Sequence, residues 1–110
     1  MKTMTKKLLL TGSLLFAASM AHASDGKALF DTNCAKCHGV DGKGATKMGQ
    51  KAGAPDFTDA KIQAALTDAK ISSTLKEGIV VGDKTKMKAF PELSADDIKA
   101  LAGYIKTFKK

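Results

Sequence analysis

The sequence predicts an all-α domain built from short helices, and three observations predict it. The clearest helix signal lies near the C-terminus. Ser94 stands three residues before Asp97, and Ile98, Leu101, Ala102, Ile105 and Phe108 repeat at helical period. No stretch alternates apolar and polar residues for long enough to predict a strand. Finally, Cys34-Ala35-Lys36-Cys37-His38 places two thiols three residues apart, a spacing that shares one face of a helical turn.

The elements follow in order. Ser24 can cap a helix over 25–37, with Gly26, Phe30 and Cys34 on one face. Residues 39–55 read as a loop because Gly39, Gly42, Gly44, Gly49 and Gly53 fall within them. A phosphate cradle is the competing reading of these glycines. It lacks both the G-x-x-x-x-G-K pattern and a preceding strand. Thr58 or Asp59 starts a short helix to Leu66. A second covers 68–77, with Ile71 and Leu75 inward and Gly78 as its stop. Residues 79–90 read as irregular, with Val80 and Val81 buried at most in a short extended run. The last helix has Ser94 as N-cap, Asp97 as capping-box acid, and Leu93 with Ile98 as a hydrophobic staple. Lys106, Lys109 and Lys110 favour the negative end of its dipole.

The C-x-x-C-H pattern is that of covalent haem attachment. Each thiol adds across one vinyl group, and the following histidine, His38, lies under the iron as proximal ligand. With two Cys and two His in 110 residues, chance produces the pattern about once in three thousand arrangements. A thioredoxin-like pair needs a βαβ context that is absent, and a zinc site needs a second Cys/His pair. A tight disulfide is the third alternative for an exported chain. A domain this small has a marginal core, and a covalent porphyrin would staple it.

Export is read from the N-terminus. Lys2, Lys6 and Lys7 precede the apolar stretch 8–20, and Ala21-His22-Ala23 forms an A-x-A cleavage site. Residues 1–23 are therefore expected to be a cleaved signal peptide and residues 24–110 one monohaem domain. The apolar stretch is short for a membrane span, and nothing after Ser24 is apolar enough for one, so no stable membrane anchor is expected after cleavage. Cleavage removes His22, leaving His38 as the only histidine and Met48 and Met87 as the only methionines. The second axial ligand is then a Met, a Lys, water or nothing. Met48 lies ten residues past His38, so its loop must cross the porphyrin edge to reach the opposite face. Met87 follows an irregular stretch that can fold over that face.

Gly26, Phe30, Cys34, Cys37, His38, Gly39, Pro55, Met87, Phe90, Leu101 and Tyr104 give the chain a resemblance to the small monohaem class I cytochromes c, covering 25–108. That resemblance implies an all-α class I cytochrome c fold. The N- and C-terminal helices cross nearly at right angles, with Gly26 and Phe30 meeting Leu101 and Tyr104, and short helices wrap around one haem c. It implies that Met87 is the sixth iron ligand and that the Pro55 carbonyl accepts the Nδ1–H of His38. A bland alternative for Pro55 is a loop proline. Family members often carry Met-Pro at the ligand, whereas Lys88 follows Met87 here and Pro91 comes later. The loop therefore lacks the stiffening that proline supplies.

The whole chain is +7. Loss of three lysines with the leader leaves 15 lysines against 11 acids, a net charge of +4 with no arginine. Lys36, Lys43, Lys47 and Lys51 flank the attachment loop, and Lys84, Lys86 and Lys88 flank Met87. Such a collar would steer redox partner proteins with acidic docking surfaces. Its bland alternative is solvation of a small domain. An exported chain with no Arg or Trp and one Tyr is not expected to bind nucleic acid.

The expected function is that of a soluble, monomeric, periplasmic electron carrier, not an enzyme, with iron held by His38 and Met87. The alternative is a gas or small-ligand-binding haem module in which Met87 is displaced. Catalysis such as peroxide reduction would need an open iron site. A subunit of a larger redox enzyme would look the same from sequence.

Overall fold

A computed structural model describes residues 24–110; the expected signal peptide lies outside the described residues. The described chain runs α1 (Gly26–Asn33), α2 (Ala35–His38), α3 (Lys47–Ala52), α4 (Ala60–Ala65), α5 (Asp68–Glu77), β1 (Ile79–Val81), β2 (Lys84–Met87) and α6 (Ala95–Lys106). The fold is helical, as expected, with one small hairpin added.

Side-chain caps start five of the six helices among the described residues. Asp25, Thr46, Asp59, Thr67 and Ser94 each accept a hydrogen bond from a backbone N–H in the first turn, and so satisfy donors the helix itself leaves unpaired. The expected cap of α1 is corrected. Asp25 fills that position, and the Ser24 hydroxyl donates instead to Asp97 Oδ1 at 2.8 Å. The single helix expected over 25–37 is broken at Cys34, whose φ of −118° interrupts the helix between α1 and α2. The short helix expected from Thr58 or Asp59 to Leu66 is α4, capped by Asp59 and Leu66, and the one expected over 68–77 is α5, with Ile71 and Leu75 buried. The glycine-rich loop contains an unforeseen helix, α3.

The stretch read as irregular is an antiparallel hairpin with Gly82-Asp83 as its two-residue turn. Val80 and Val81 are extended but exposed, contrary to the burial expected of them. A Gly-Asp pair between strands is itself a hairpin signal. It was masked because the flanking Ile79-Val80-Val81 and Lys84-Thr85-Lys86-Met87 segments do not alternate cleanly.

The core forms where α1 meets α6. Phe30 and Leu101 are fully buried, with Ile98, Ala102 and Ile105 from the same face of α6. Phe57, Ile71, Leu75 and Phe90 complete the cluster. Both bonds of the Ser94–Asp97 capping box are made. Gly26 is what allows α1 and α6 to approach: a Cβ there would stand 2.3 Å from the Ala100 carbonyl oxygen and 2.9 Å from Tyr104 Cβ. The Phe30 and Tyr104 rings lie 5.4 Å apart, centre to centre. Gln63, on α4, donates from Nε2 to the carbonyls of Phe57 and Ile105 at 2.7 and 2.9 Å, tying α4 to the end of α6.

Candidate haem site

Cys34, at the edge of the core, forms the junction between α1 and α2, and Cys37 and His38 follow on α2. The His38 N–H donates to the Cys34 carbonyl at 2.9 Å, so the turn keeps helical geometry through the motif. The loop behind it is tightly held. The His38 carbonyl accepts from Gly44 N at 2.7 Å, and the Thr46 hydroxyl donates to the Cys37 carbonyl at 2.6 Å while accepting from Gly49 N. Gly49 permits this packing, because a Cβ there would stand 2.2 Å from the Cys37 carbonyl oxygen. Thr46 thus caps α3 and fixes the attachment turn with one hydroxyl. Its type fits an N-cap, but sequence shows no link to Cys37.

Both cysteines are free thiols, so the disulfide alternative is not realised. Burial, with a smaller contribution from Cys37, pushes the Cys34 thiol up to about 11. Burial also lowers the pKa of His38, which favours the neutral imidazole, the form that binds metal.

The bond expected from His38 Nδ1 to the Pro55 carbonyl is not made; Nδ1 is buried without a partner. The imidazole lies stacked on Phe57, 4.6 Å between ring centres and 19° between planes, and this contact sets its orientation. The Pro55 carbonyl faces Gly44, where a Cβ would come within 2.8 Å of it. Phe57 is a site residue that sequence reasoning missed. Its only signal is its place two residues after Pro55.

A cleft of about 750 Å³ opens beside this turn. Cys34, Cys37 and His38 lie on its wall together with Met48, Pro55, Met87 and Phe90, and Ile79 and Val81 of the hairpin join them. The structure therefore brings every expected site residue to one cavity. It distinguishes the two methionines by environment: Met87 packs against the core, whereas Met48 is 47% exposed. No group of three or more His, Cys, Asp or Glu is placed to hold a bare metal ion among the described residues. The donor set instead suits a porphyrin: two free thiols, an imidazole, thioethers, and aliphatic walls.

Residues 23–109 match the family described as Cytochrome c. Among curated proteins, the chain is 38% identical over 101 residues to the Cbb3-type cytochrome c oxidase subunit FixP of Rhizobium meliloti (strain 1021). It is 34% identical over 92 residues to the CcoP subunit of Rhodobacter capsulatus. These alignments cover 84% and 80% of this chain but 30% of each relative, so the chain spans about a third of their length. Among solved structures, a c-type cytochrome, KustC0563, is 35% identical with a TM-score of 0.66, covering 78% of this chain and 99% of its own. The attachment motif, the α1–α6 core, the cleft and this match over nearly the whole described chain lead to one conclusion: the protein belongs to the cytochrome c family and carries covalent haem c.

Proposed function

We propose that the protein is a soluble, exported, monomeric one-electron carrier whose haem iron is held by His38 and Met87. The observation that carries this reading is the convergence of Cys34, Cys37, His38 and Met87 on a single cleft. The haem supplies one-electron chemistry between its ferrous and ferric states. Cys34 and Cys37 would hold it as thioethers, on a turn that the Thr46 hydroxyl fixes through the Cys37 carbonyl. His38 supplies a neutral imidazole whose plane is set by Phe57. Met87 supplies a thioether, which favours the ferrous state and raises the reduction potential. Phe90 and Pro55 add apolar surface to the cleft walls.

Among the described residues no helix is long and apolar enough to cross a membrane. Lys84 and Lys86 are exposed on β2, and Lys88 follows it with its ammonium 5.0 Å from the centre of the Phe90 ring. Lys86 and Lys88 line the cleft, and cations at its rim support docking of partners with acidic surfaces. The similarity to FixP and CcoP supports a second reading, in which the domain passes electrons within an oxidase assembly. Co-purification with a large partner separates it from a free carrier.

Carbon monoxide tests whether Met87 fills the iron site. The ferrous protein at neutral pH is expected to show no rapid spectral change with CO. An immediate shift would replace the carrier by the ligand-binding reading.

A further inference from the structure

The hairpin has an irregular register. Val81 pairs with Lys84 and Val80 with Thr85, but Ile79 pairs with Met87. Lys86 is the extra residue, so β2 carries a β-bulge just before the methionine. A regular ladder would continue by pairing Ile79 with Lys86. Met87 would then lie on the opposite face of the hairpin from Ile79, because successive side chains alternate. The bulge moves Met87 opposite Ile79, where directly paired residues share a face.

That face is the cleft face. Ile79 and Val81 line the cavity with Met87, whereas Val80, between them, does not. Val80 and Val81 are almost equally exposed, at 62% and 59%, so burial within the protein does not separate them. Only the direction of the cleft does.

We infer that the β1–β2 hairpin is the distal wall of the haem site, with the bulge at Lys86 aiming Met87 and with Ile79 and Val81 as positioning residues that cover the porphyrin beside it. The inward exposure of Ile79 and Val81 is the surface this wall offers to the haem. Val80 belongs to the outer, solvent face. Apolar side chains against the porphyrin disfavour the additional charge of the ferric state and support a high potential. This inference rests on the haem reading of the cleft; its assignment of Ile79 and Val81 does not require Met87 to be the iron ligand.

The test compares Val81→Thr with Val80→Thr in the haem-loaded protein. Valine and threonine have nearly the same shape, and both sites are exposed, so neither change is expected to prevent folding. Midpoint potential and haem absorption are measured for each. Val81→Thr is expected to lower the potential and shift the haem absorption, and Val80→Thr to leave both at wild-type values. Ile79→Thr should follow Val81→Thr. Equal effects at positions 80 and 81, or no effect at either, would overturn the assignment of the hairpin face. Met87→Ala provides the separation from the ligand reading. Loss of the sulfur-to-iron charge-transfer band in that variant tests ligation alone, whereas the difference between Val80 and Val81 is expected whichever ligand Met87 proves to be.

Discussion

Replacing Gly26 with Ala probes the helix contact on which the fold depends. The new Cβ would lie 2.3 Å from the Ala100 carbonyl oxygen. A carbon–oxygen contact needs roughly 3.3 Å, so α1 and α6 must separate locally by about 1 Å. Forced overpacking of this kind costs about 1–3 kcal/mol. The neighbour is backbone, which cannot rotate away. The helix-propensity gain is small at the first helical position, leaving a net loss of about 1–2 kcal/mol. At roughly 4–8 °C per kcal/mol for a domain of this size, the melting temperature should fall by about 5–15 °C. Gly103 supplies the internal comparison. It lies within α6, and a Cβ there meets nothing within 4 Å. Gly103→Ala should therefore stabilise by about 1 kcal/mol through helix propensity alone. The assay is thermal and denaturant unfolding of the haem-loaded protein, followed by far-ultraviolet circular dichroism. The same chemical change must give opposite signs at the two sites. A Gly26→Ala protein as stable as wild type would refute close packing of α1 on α6.

Two further perturbations test the local electrostatics. Hydrogen bonds from Ser94 N–H and the Ser24 hydroxyl hold the Asp97 carboxyl below the usual carboxylate range. Its contribution to stability is therefore full above the unfolded-state pKa of about 3.9 and lost as pH falls through the folded value. Asp97→Asn should flatten the acid limb of a stability–pH curve below about pH 4; an unchanged limb would contradict this. The Lys106–Asp68 ion pair is exposed on both sides, so Asp68→Ala should change stability by less than about 1 kcal/mol, and by less still at high salt. A larger loss in double-mutant cycles would contradict this.

The parts of the fold legible in sequence were those specified locally. Ser94, Asp97 and the stripe from Ile98 to Ile105 define α6 within a few residues of one another, and the structure reproduces it. Gly78 likewise ends α5 where the sequence places its stop. Elements that depend on distant partners were less legible. The α3 helix owes its place to Thr46 and Gly49 packing on the Cys37 carbonyl. Ser24 bonds to Asp97, 73 residues away, leaving Asp25 to cap α1. The hairpin hid because its exposed valines show no alternation against water. The same distinction holds at the site. Adjacency in sequence revealed Cys34, Cys37 and His38, whereas the stacking of Phe57 on His38 and the pairing of Ile79 with Met87 arise only in three dimensions.

The most direct test of the central claim is the absorption spectrum of the ferric protein beside those of Met87→Ala and Met48→Ala. Ligation by His38 and Met87 predicts a weak red sulfur-to-iron charge-transfer band that survives in Met48→Ala and disappears in Met87→Ala. A band that survives in Met87→Ala, or is absent from the wild-type protein, would contradict it.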